Sequence, residues 1–390
     1  MPPRFLGSSG LGLELDDGSE GAEGVKCIVE PYNESVSTVK VSVTVIDDVR
    51  PHPNADALEL ATVGGWQAVI KKGAFGNGDP IVYFEQGIIL PQEVAERLGV
   101  ANYLAKRTDI NGDKVLVIHR VRLRGEPSFG LVIPAEPGMA PGEDVAARYG
   151  ATKYLPPVRT SAGDSEPNHP LFAHYTEIEN LRSYPAVFEP GEEVVATEKI
   201  HGTNCRVGFI ALPVDGQRTM TPMAGSKGMQ RKQPEPAAMA GNTYWFPYTL
   251  PGVQSLLQEL FDAGHDRAIL FGEVFGATIQ SYSYGEASPA FRAFDLLRGQ
   301  GFVDHDEFLA LCAKHNVPVV PQVFRGPFSR PEIKKLSEGD SLVGGKHGRE
   351  GVVVKPVHER THPEVGRVIL KYIGDQYLFG KAAEQDTTDL

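Results

Sequence analysis

Thr197-Glu198-Lys199-Ile200-His201-Gly202-Thr203-Asn204 is the stretch on which the reading of this 390-residue chain turns. It follows a β-type run, Glu192 to Ala196, and contains a K-x-x-G from Lys199 to Gly202. That short pattern alone is weak, because a second one starts at Lys371. The surrounding residues carry the signal. A lysine at a strand end beside a glycine lets backbone come close to a phosphate, and His201, Thr203 and Asn204 add polar handles. The plainer alternative is a solvated lysine and a satisfied loop histidine.

Outward from this run the pattern is mixed, and a domain is expected over residues 171–383. Strand-like runs lie at 192–200, 205–212, 267–276, 291–297, 350–355 and 367–372. Val253, Leu256, Leu257, Leu260 and Phe261 recur at helical spacing and stop at Gly264. A second helix is expected from Asp304 to Lys314, with Asp304 and Glu307 placed as a capping box. Residues 221–241 read as an exposed loop by composition. Residues 151–170 read as a linker.

Over residues 36–150 short β-type runs alternate with turn signals, and one helix is expected at 91–99. Gly64-Gly65 between two apolar runs is a hairpin signature. Five or so strands with a single helix suggest a small β-barrel. The fold class is therefore α+β. Residues 1–35 hold seven carboxylates against Arg4 and Lys26, a net of −5, with no apolar period, and read as an acidic flexible head. Residues 384–390 read as an acidic tail.

Composition narrows the class. Hydrophobic residues make up 41% and charged residues 23%, an ordinary globular balance. Cys27, Cys205 and Cys312 are too few and scattered for a disulfide framework or a thiolate zinc site, so a reducing, cytoplasmic setting is expected. There is no apolar run of membrane-spanning length and no signal-peptide pattern at the start, so no membrane partner is expected. Thirty-eight basic against 50 acidic residues give a net charge of −12, which on its face argues against a nucleic-acid partner.

Two enzyme signatures fall away. His358-Glu359-Arg360-Thr361-His362 matches H-E-x-x-H, but Pro356 and Pro363 bracket it between β runs, so it reads as a hairpin loop. No phosphate-binding G-x-x-x-x-G-K-[ST] is present.

Four clusters follow the opening stretch in order. They are Phe271–Gly276 with Glu273, Phe291–Leu296 with Phe294 and Asp295, Arg349–Pro356 with Glu350 and Lys355, and Arg367–Tyr372 with Lys371. Glu350 precedes Val352, Val353 and Val354, so a carboxylate in that apolar setting needs a partner or a metal. Singly each cluster could be core strand with an edge charge. Together they supply a lysine nucleophile, two carboxylates, two further lysines and an aromatic.

This ordered set resembles the motifs of covalent nucleotidyltransferases, specifically the double-strand-sealing RNA ligase family of the phage RNA ligase 2 type. The resemblance covers about residues 171–380. Residues 52–73 and 120–134 are similar to an OB-fold domain found at the amino terminus of a bacterial, Deinococcus-type RNA ligase branch. It implies an amino-terminal OB-like β-barrel followed by a covalent nucleotidyltransferase (ATP-grasp-like adenylyltransferase) domain of antiparallel sheets and helices. By the same resemblance the chain is a monomeric, ATP-dependent ligase of RNA or RNA-containing duplex ends, using Mg²⁺ or Mn²⁺ and acting in RNA repair.

The resemblance also implies roles. Lys199 would be the nucleophile that becomes lysyl-AMP. Lys355 and Lys371 would hold the α-phosphate and help free the Lys199 amine, whose reference pKa near 10.4 leaves little nucleophile at neutral pH. Glu273 would accept the ribose hydroxyls and Phe294 would stack on adenine. Glu350 would organise the divalent ion. His201 would serve the chemistry after lysyl-AMP forms, and Asn204 would orient a phosphate or the AMP leaving group. Glu198, Gly202 and Lys227 complete the nucleotide contacts. One departure stands out: Ile373 takes the place of a second lysine in the last motif.

Without a further carboxy-terminal domain, RNA contact would rest on the barrel. Lys71, Lys72, Lys106, Arg107, Arg120, Arg122 and Arg124 are the candidate basic groove, with Trp66 and Phe129 as stackers. The alternatives at this stage are a GTP-using capping-like transferase, a DNA ligase, and a non-catalytic RNA-end-binding protein.

Overall fold

In the computed structural model, residues 40–157 and 164–380 are described; the expected acidic head (1–35) and tail (384–390), with the first residues expected for the barrel (36–39), lie outside the described residues. The first strands are β1 (Val41–Val45), β2 (Leu58–Val63), β3 (Trp66–Lys71), β4 (Pro80–Phe84), β5 (Ile88–Leu90), β6 (Lys114–Val117) and β7 (Leu131–Pro134). β4 sits between β1 and β7, β2 pairs with β3, and β5 pairs with β6. Gly64 and Gly65 take φ of 58° and 91°, the left-handed pair that a two-residue hairpin turn requires. The helix α1 (Gln92–Arg97) falls where the sequence places it. Alternating residues of β1 and β4 bury Val41, Val43, Val82 and Phe84 in one core. The other faces of these small sheets build a second core around Trp66 and Phe129.

The carboxy-terminal domain is two sheets and a few helices. Its main strands are β8 (Glu193–Glu198), β9 (Thr203–Val214), β10 (Gln217–Ser226), β11 (Arg267–Phe275), β12 (Ala290–Arg298), β13 (Gln322–Pro327), β14 (Gly351–Pro356) and β15 (Leu370–Ile373). A seven-stranded sheet holds β10, β9, β11 and β12 in that order, and a five-stranded sheet holds β15, β14, β8 and β13. The helices α2 (Pro251–Asp262) and α3 (His305–His315) pack their apolar stripes on the outer face of the larger sheet, around Val253, Leu256, Phe308 and Trp245. The smaller sheet buries Val194, Ala196, Val352, Val354 and Leu370 on its outer face, against α4 (Arg330–Leu336). Strand alternation then turns Val195, Thr197, Val353, Lys355 and Lys371 to the inner face. The two sheets meet through Ile210, Phe271, Leu297 and Ile369.

Several expectations need correction. Residues 221–241 are not all loop: β10 runs to Ser226, and Met223 and Ala224 are core, because pairing with β9 overrides a turn-rich composition. The linker is shorter than 151–170. Thr152–Lys153 pairs with β5, and Ser165–Glu166 pairs with Gln230–Arg231, so each end belongs to a domain. α3 starts as expected with Asp304 at the N-cap position, but the Asp304 side chain makes no capping hydrogen bond. Its carboxylate accepts from the Glu359 N–H at 2.7 Å and lies 2.9 Å from His358 Nδ1, while Glu307 pairs with Arg298. The H-E-x-x-H segment is a hairpin, with Thr361–His362 paired to Gly366–Arg367.

A last short helix, α5 (Asp375–Phe379), ends the described chain and docks on the barrel. Ile373, Tyr377 and Leu378 join Ile46, Val63, Trp66 and Phe129 in one apolar cluster. Among the described residues no helix is long and apolar enough to cross a membrane.

Candidate functional site

β8 and β14 run antiparallel with Glu198 opposite Val352, and the Lys199 N–H continues the ladder to the Gly351 carbonyl at 3.0 Å. That register brings two residues 151 positions apart side by side. Lys199 Nζ lies 2.7 Å from Glu350 Oε1, with Glu350 fully buried. β15 extends the row, placing Lys371 opposite Val353. The inner face of the smaller sheet therefore presents both lysines to a groove of about 1280 Å³, more than one small-molecule ligand fills.

The larger sheet supplies the opposite side. Glu273 on β11 sits across from Asn204 on β9, and both line the groove. The Asn204 side-chain oxygen is buried with no hydrogen-bond partner, a polar atom that a bound group would satisfy. Phe294 reaches the groove through a backbone irregularity. Phe271 pairs with Asp295 while Gly272 pairs with Ala293, so Phe294 is the extra residue of a β-bulge. Such a bulge re-aims one side chain without breaking the strand. The Phe294 ring packs on Tyr175 at 4.9 Å between centroids and stays half-buried at the groove wall.

Gly202 is required for a reason other than phosphate approach. A Cβ there would lie 2.4 Å from the Val274 carbonyl and 2.9 Å from Glu273 Cγ. The glycine lets the K-x-x-G turn press against β11, which sets the distance between Lys199 and Glu273.

His201 is buried under a cluster of tyrosines. Its Nε2 is 3.2 Å from Ser281 Oγ, its Nδ1 is 3.4 Å from the Tyr377 hydroxyl, and Glu350 Oε2 lies 3.7 Å from the same Nδ1. Its backbone N–H donates to the Tyr284 hydroxyl at 2.6 Å.

Two expected ligand contacts are engaged elsewhere. Lys355 lines the groove, but its ammonium sits 2.8 Å from Asp295 and 3.3 Å from Glu359. Arg367 and the Tyr175 hydroxyl complete this buried network, at 2.7 and 2.8 Å from Asp295 Oδ2. Burial would raise the Asp295 pKa, yet Arg367 and Lys355 outweigh it and hold the carboxyl below its ordinary value. Glu198 is likewise buried, and its carboxylate accepts from Ser341 Oγ at 2.5 Å and the Leu342 N–H at 2.7 Å. Its carboxylate anchors the loop before Glu350, and the residue also lines the groove. Asp295 and this loop contact were not legible as partners, because only the tertiary fold joins them.

At the cationic end of the groove Lys227 and Lys371 were expected, but Lys153 and Glu177 were not. Lys227 pairs with Glu177 at 2.8 Å, and Lys153, Glu177 and Lys371 line the groove together. Burial would raise the Glu177 pKa, but Lys227, Lys153 and Lys371 bring it below the usual carboxylate range.

The barrel residues divide sharply. Arg107 lines the groove, and Lys71, Lys72, Lys106 and Arg124 are exposed. Arg120 lines the groove too and Arg122 is exposed, and both also bond to α5, with Arg120 Nη1 donating to the Leu378 carbonyl at 3.1 Å and Arg122 Nη2 to that of Phe379 at 2.8 Å. Trp66 and Phe129 are not exposed stackers. They are 6% and 1% accessible and form the core under α5.

Among the described residues no three or more His, Cys, Asp or Glu side chains cluster as a metal cage. The donor set at Lys199 is a single buried carboxylate, Glu350, with Lys371 lining the same groove. That suits a hard divalent ion held mainly by phosphate oxygens and water.

Comparison with known proteins agrees with this geometry. Residues 192–373 match a family model described as RNA ligase, and residues 40–135 match one described as an OB-fold domain. No curated protein matches the chain. Among solved structures, an RNA ligase of Naegleria gruberi with PPi is 24% identical, covers 88% of this chain and 98% of its own, and superposes with a TM-score of 0.64. A variant of that ligase with AMP and Mn is 24% identical, covering 87% and 97% with a TM-score of 0.64. Another, with ATP and Mn, is 23% identical, covering 87% and 98% with the same score.

Proposed function

We infer that this chain, which carries the RNA ligase family domain at 192–373 behind an OB-fold domain at 40–135, is an ATP-dependent ligase that seals nicks whose 3′-OH end is RNA. The observation that carries this reading is the Lys199–Glu350 pair at 2.7 Å, whose lysine lines a groove with Glu273, Phe294, Asn204 and Lys371.

Lys199 Nζ attacks the α-phosphorus of ATP. A P–N bond forms, the bond to the β-phosphate oxygen breaks, and pyrophosphate leaves. Glu350 Oε1 is placed to accept the proton that the amine gives up. Phe294 stacks on the adenine, Glu273 accepts the ribose hydroxyls, and Lys371 holds the α-phosphate as a compact charge. A 5′-phosphate oxygen next displaces the lysine and takes the AMP. The 3′-OH then loses its proton and attacks the phosphorus of the adenylylated 5′-phosphate; the phosphodiester O–P bond forms, the pyrophosphate bond to AMP breaks, and AMP leaves. His201 and Asn204 serve these later steps, and the buried Lys355–Asp295 network fixes the sheet under the groove. Glu350 would hold a divalent ion, Mg²⁺ or the Mn seen with the Naegleria ligase, whose charge neutralises developing negative charge on phosphate. The reaction is positioning and charge stabilisation throughout.

Incubation with α-labelled ATP and Mg²⁺, followed by denaturing electrophoresis, tests the core of the reading. A labelled band is expected, and Lys199→Ala should abolish it. No band in the wild type, or one that survives in Lys199→Ala, overturns the reading, and label from GTP alone would move it to the capping type. Nicks ending in ribose or deoxyribose then decide the acceptor, since the 2′-OH is what distinguishes RNA.

A further inference from the structure

We propose that Tyr377 is a positioning residue for His201, held in place by the OB-fold domain. The proposal rests on the reading that His201 serves the steps after lysyl-AMP. His201 Nδ1 lies between two groups, the Tyr377 hydroxyl at 3.4 Å and Glu350 Oε2 at 3.7 Å. The hydroxyl competes with the carboxylate for that nitrogen. It keeps the imidazole from turning onto Glu350, whose other oxygen is already engaged by Lys199.

Tyr377 sits on α5, a five-residue helix too short to stand alone. Both ends are clamped from outside. At its start, Glu338 accepts the Asp375 N–H at 2.5 Å, and Arg182 Nη2 donates to the Asp375 carboxylate at 2.7 Å. At its end, the clamp comes from the other domain: Arg120 donates to the Leu378 carbonyl at 3.1 Å, and Arg122 to the Phe379 and Gly380 carbonyls at 2.8 and 3.3 Å. The Phe379 ring packs on Phe129 at 5.6 Å, closing the apolar side. A chain of contacts therefore runs from OB-fold arginines through one helical turn to a single imidazole nitrogen. Displacing the OB-fold domain loosens His201 while leaving the β8–β14 ladder that holds Lys199 and Glu350.

The test uses the full-length protein and a nicked duplex whose 5′ end is already adenylylated. In Tyr377→Phe, which keeps the ring and its packing, single-turnover sealing should slow about five- to tenfold, as for one lost hydrogen bond. Half-saturation by the nick should stay within twofold, and lysyl-AMP formation from ATP should fall less than sealing. Arg122→Ala should show the same step-selective loss. Adding Tyr377→Phe to His201→Ala should slow sealing no further, because the imidazole that the hydroxyl positions is then gone. Full additivity of the two losses, or equal loss of both steps in Tyr377→Phe, overturns the proposal and leaves a merely structural tyrosine. Impaired sealing by His201→Ala with wild-type sealing by Tyr377→Phe overturns the proposal alone. Wild-type sealing by His201→Ala overturns both the proposal and the role given to His201.

Discussion

Ile373 shows how a departure from an expected motif acquires a physical reason. It shares the inner face of β15 with Lys371, two residues earlier, where a second phosphate-binding lysine was looked for. The structure buries it to 1% accessibility in the cluster formed with Trp66, Val63 and Phe129. A lysine there would place an ammonium in the apolar seam between domains. Ile373→Lys is expected to destabilise the fold by about 3 kcal/mol or more without improving ATP use, as an unpaired buried charge does. Thermal unfolding beside lysyl-AMP formation checks both halves. That Lys199, Glu350, Glu273 and Lys371 come together in space was legible in sequence, because their clusters follow one another in a recognisable order. Trp66 and Phe129 were not, since an aromatic in a small barrel fits a stacking face and a core equally well. The partners of Lys355 were hidden for a related reason: Asp295 and Glu359 come from other strands and loops, while the lysine itself lines the groove.

At the scale of elements, strand register does the assembly. Pairing of β14 with β8 on one side and β15 on the other puts Lys199 and Lys371 at one edge of the groove, with Glu350 buried beside Lys199. The bulge in β12 then turns Phe294 toward them from the other sheet. Phe294→Leu should keep the strand and fill most of the space, yet lose the stack, raising KM for ATP roughly tenfold with kcat little changed. Steady-state kinetics and a circular dichroism spectrum separate this from misfolding. The strands and the two long helices were readable from period and propensity. The bulge was not, because it is a mismatch between two strands and has no signature in either one. Asp304 misled in the opposite sense, since its capping spacing was real but the 358–359 loop took its carboxylate.

The molecule as a whole is joined through a seam that includes charge. Ser183 Oγ of the carboxy-terminal domain donates to Glu85 Oε2 of the barrel at 2.7 Å. Burial, with Glu179 adding to it against the lowering effects of Ser183 and Lys40, pushes the Glu85 carboxyl up to about 7. A carboxyl raised above its unfolded value of 4.5 keeps its proton longer in the folded chain. Its effect on stability is therefore absent below pH 4.5 and grows unfavourable as pH rises toward 7. Glu85→Gln should remove that decline and gain on the order of 1–3 kcal/mol at pH 8 relative to pH 4.5, read from denaturant melts of both proteins across that range. The net charge of −12 belongs to this scale too. It did not exclude a phosphate-handling groove, because Lys199, Lys227, Lys153 and Lys371 concentrate local positive charge there.

The burial of Trp66 beneath α5 has an optical consequence. The chain has two tryptophans, and they sit in different places: Trp245 in the core behind the larger sheet, and Trp66 in the seam between domains, with the Arg182 guanidinium 5.1 Å from its ring centre. The emission of one reports the integrity of a single domain, while that of the other changes whenever the two domains part. Separation of the domains and unfolding of the catalytic one therefore carry distinct intrinsic fluorescence signals, with no added label.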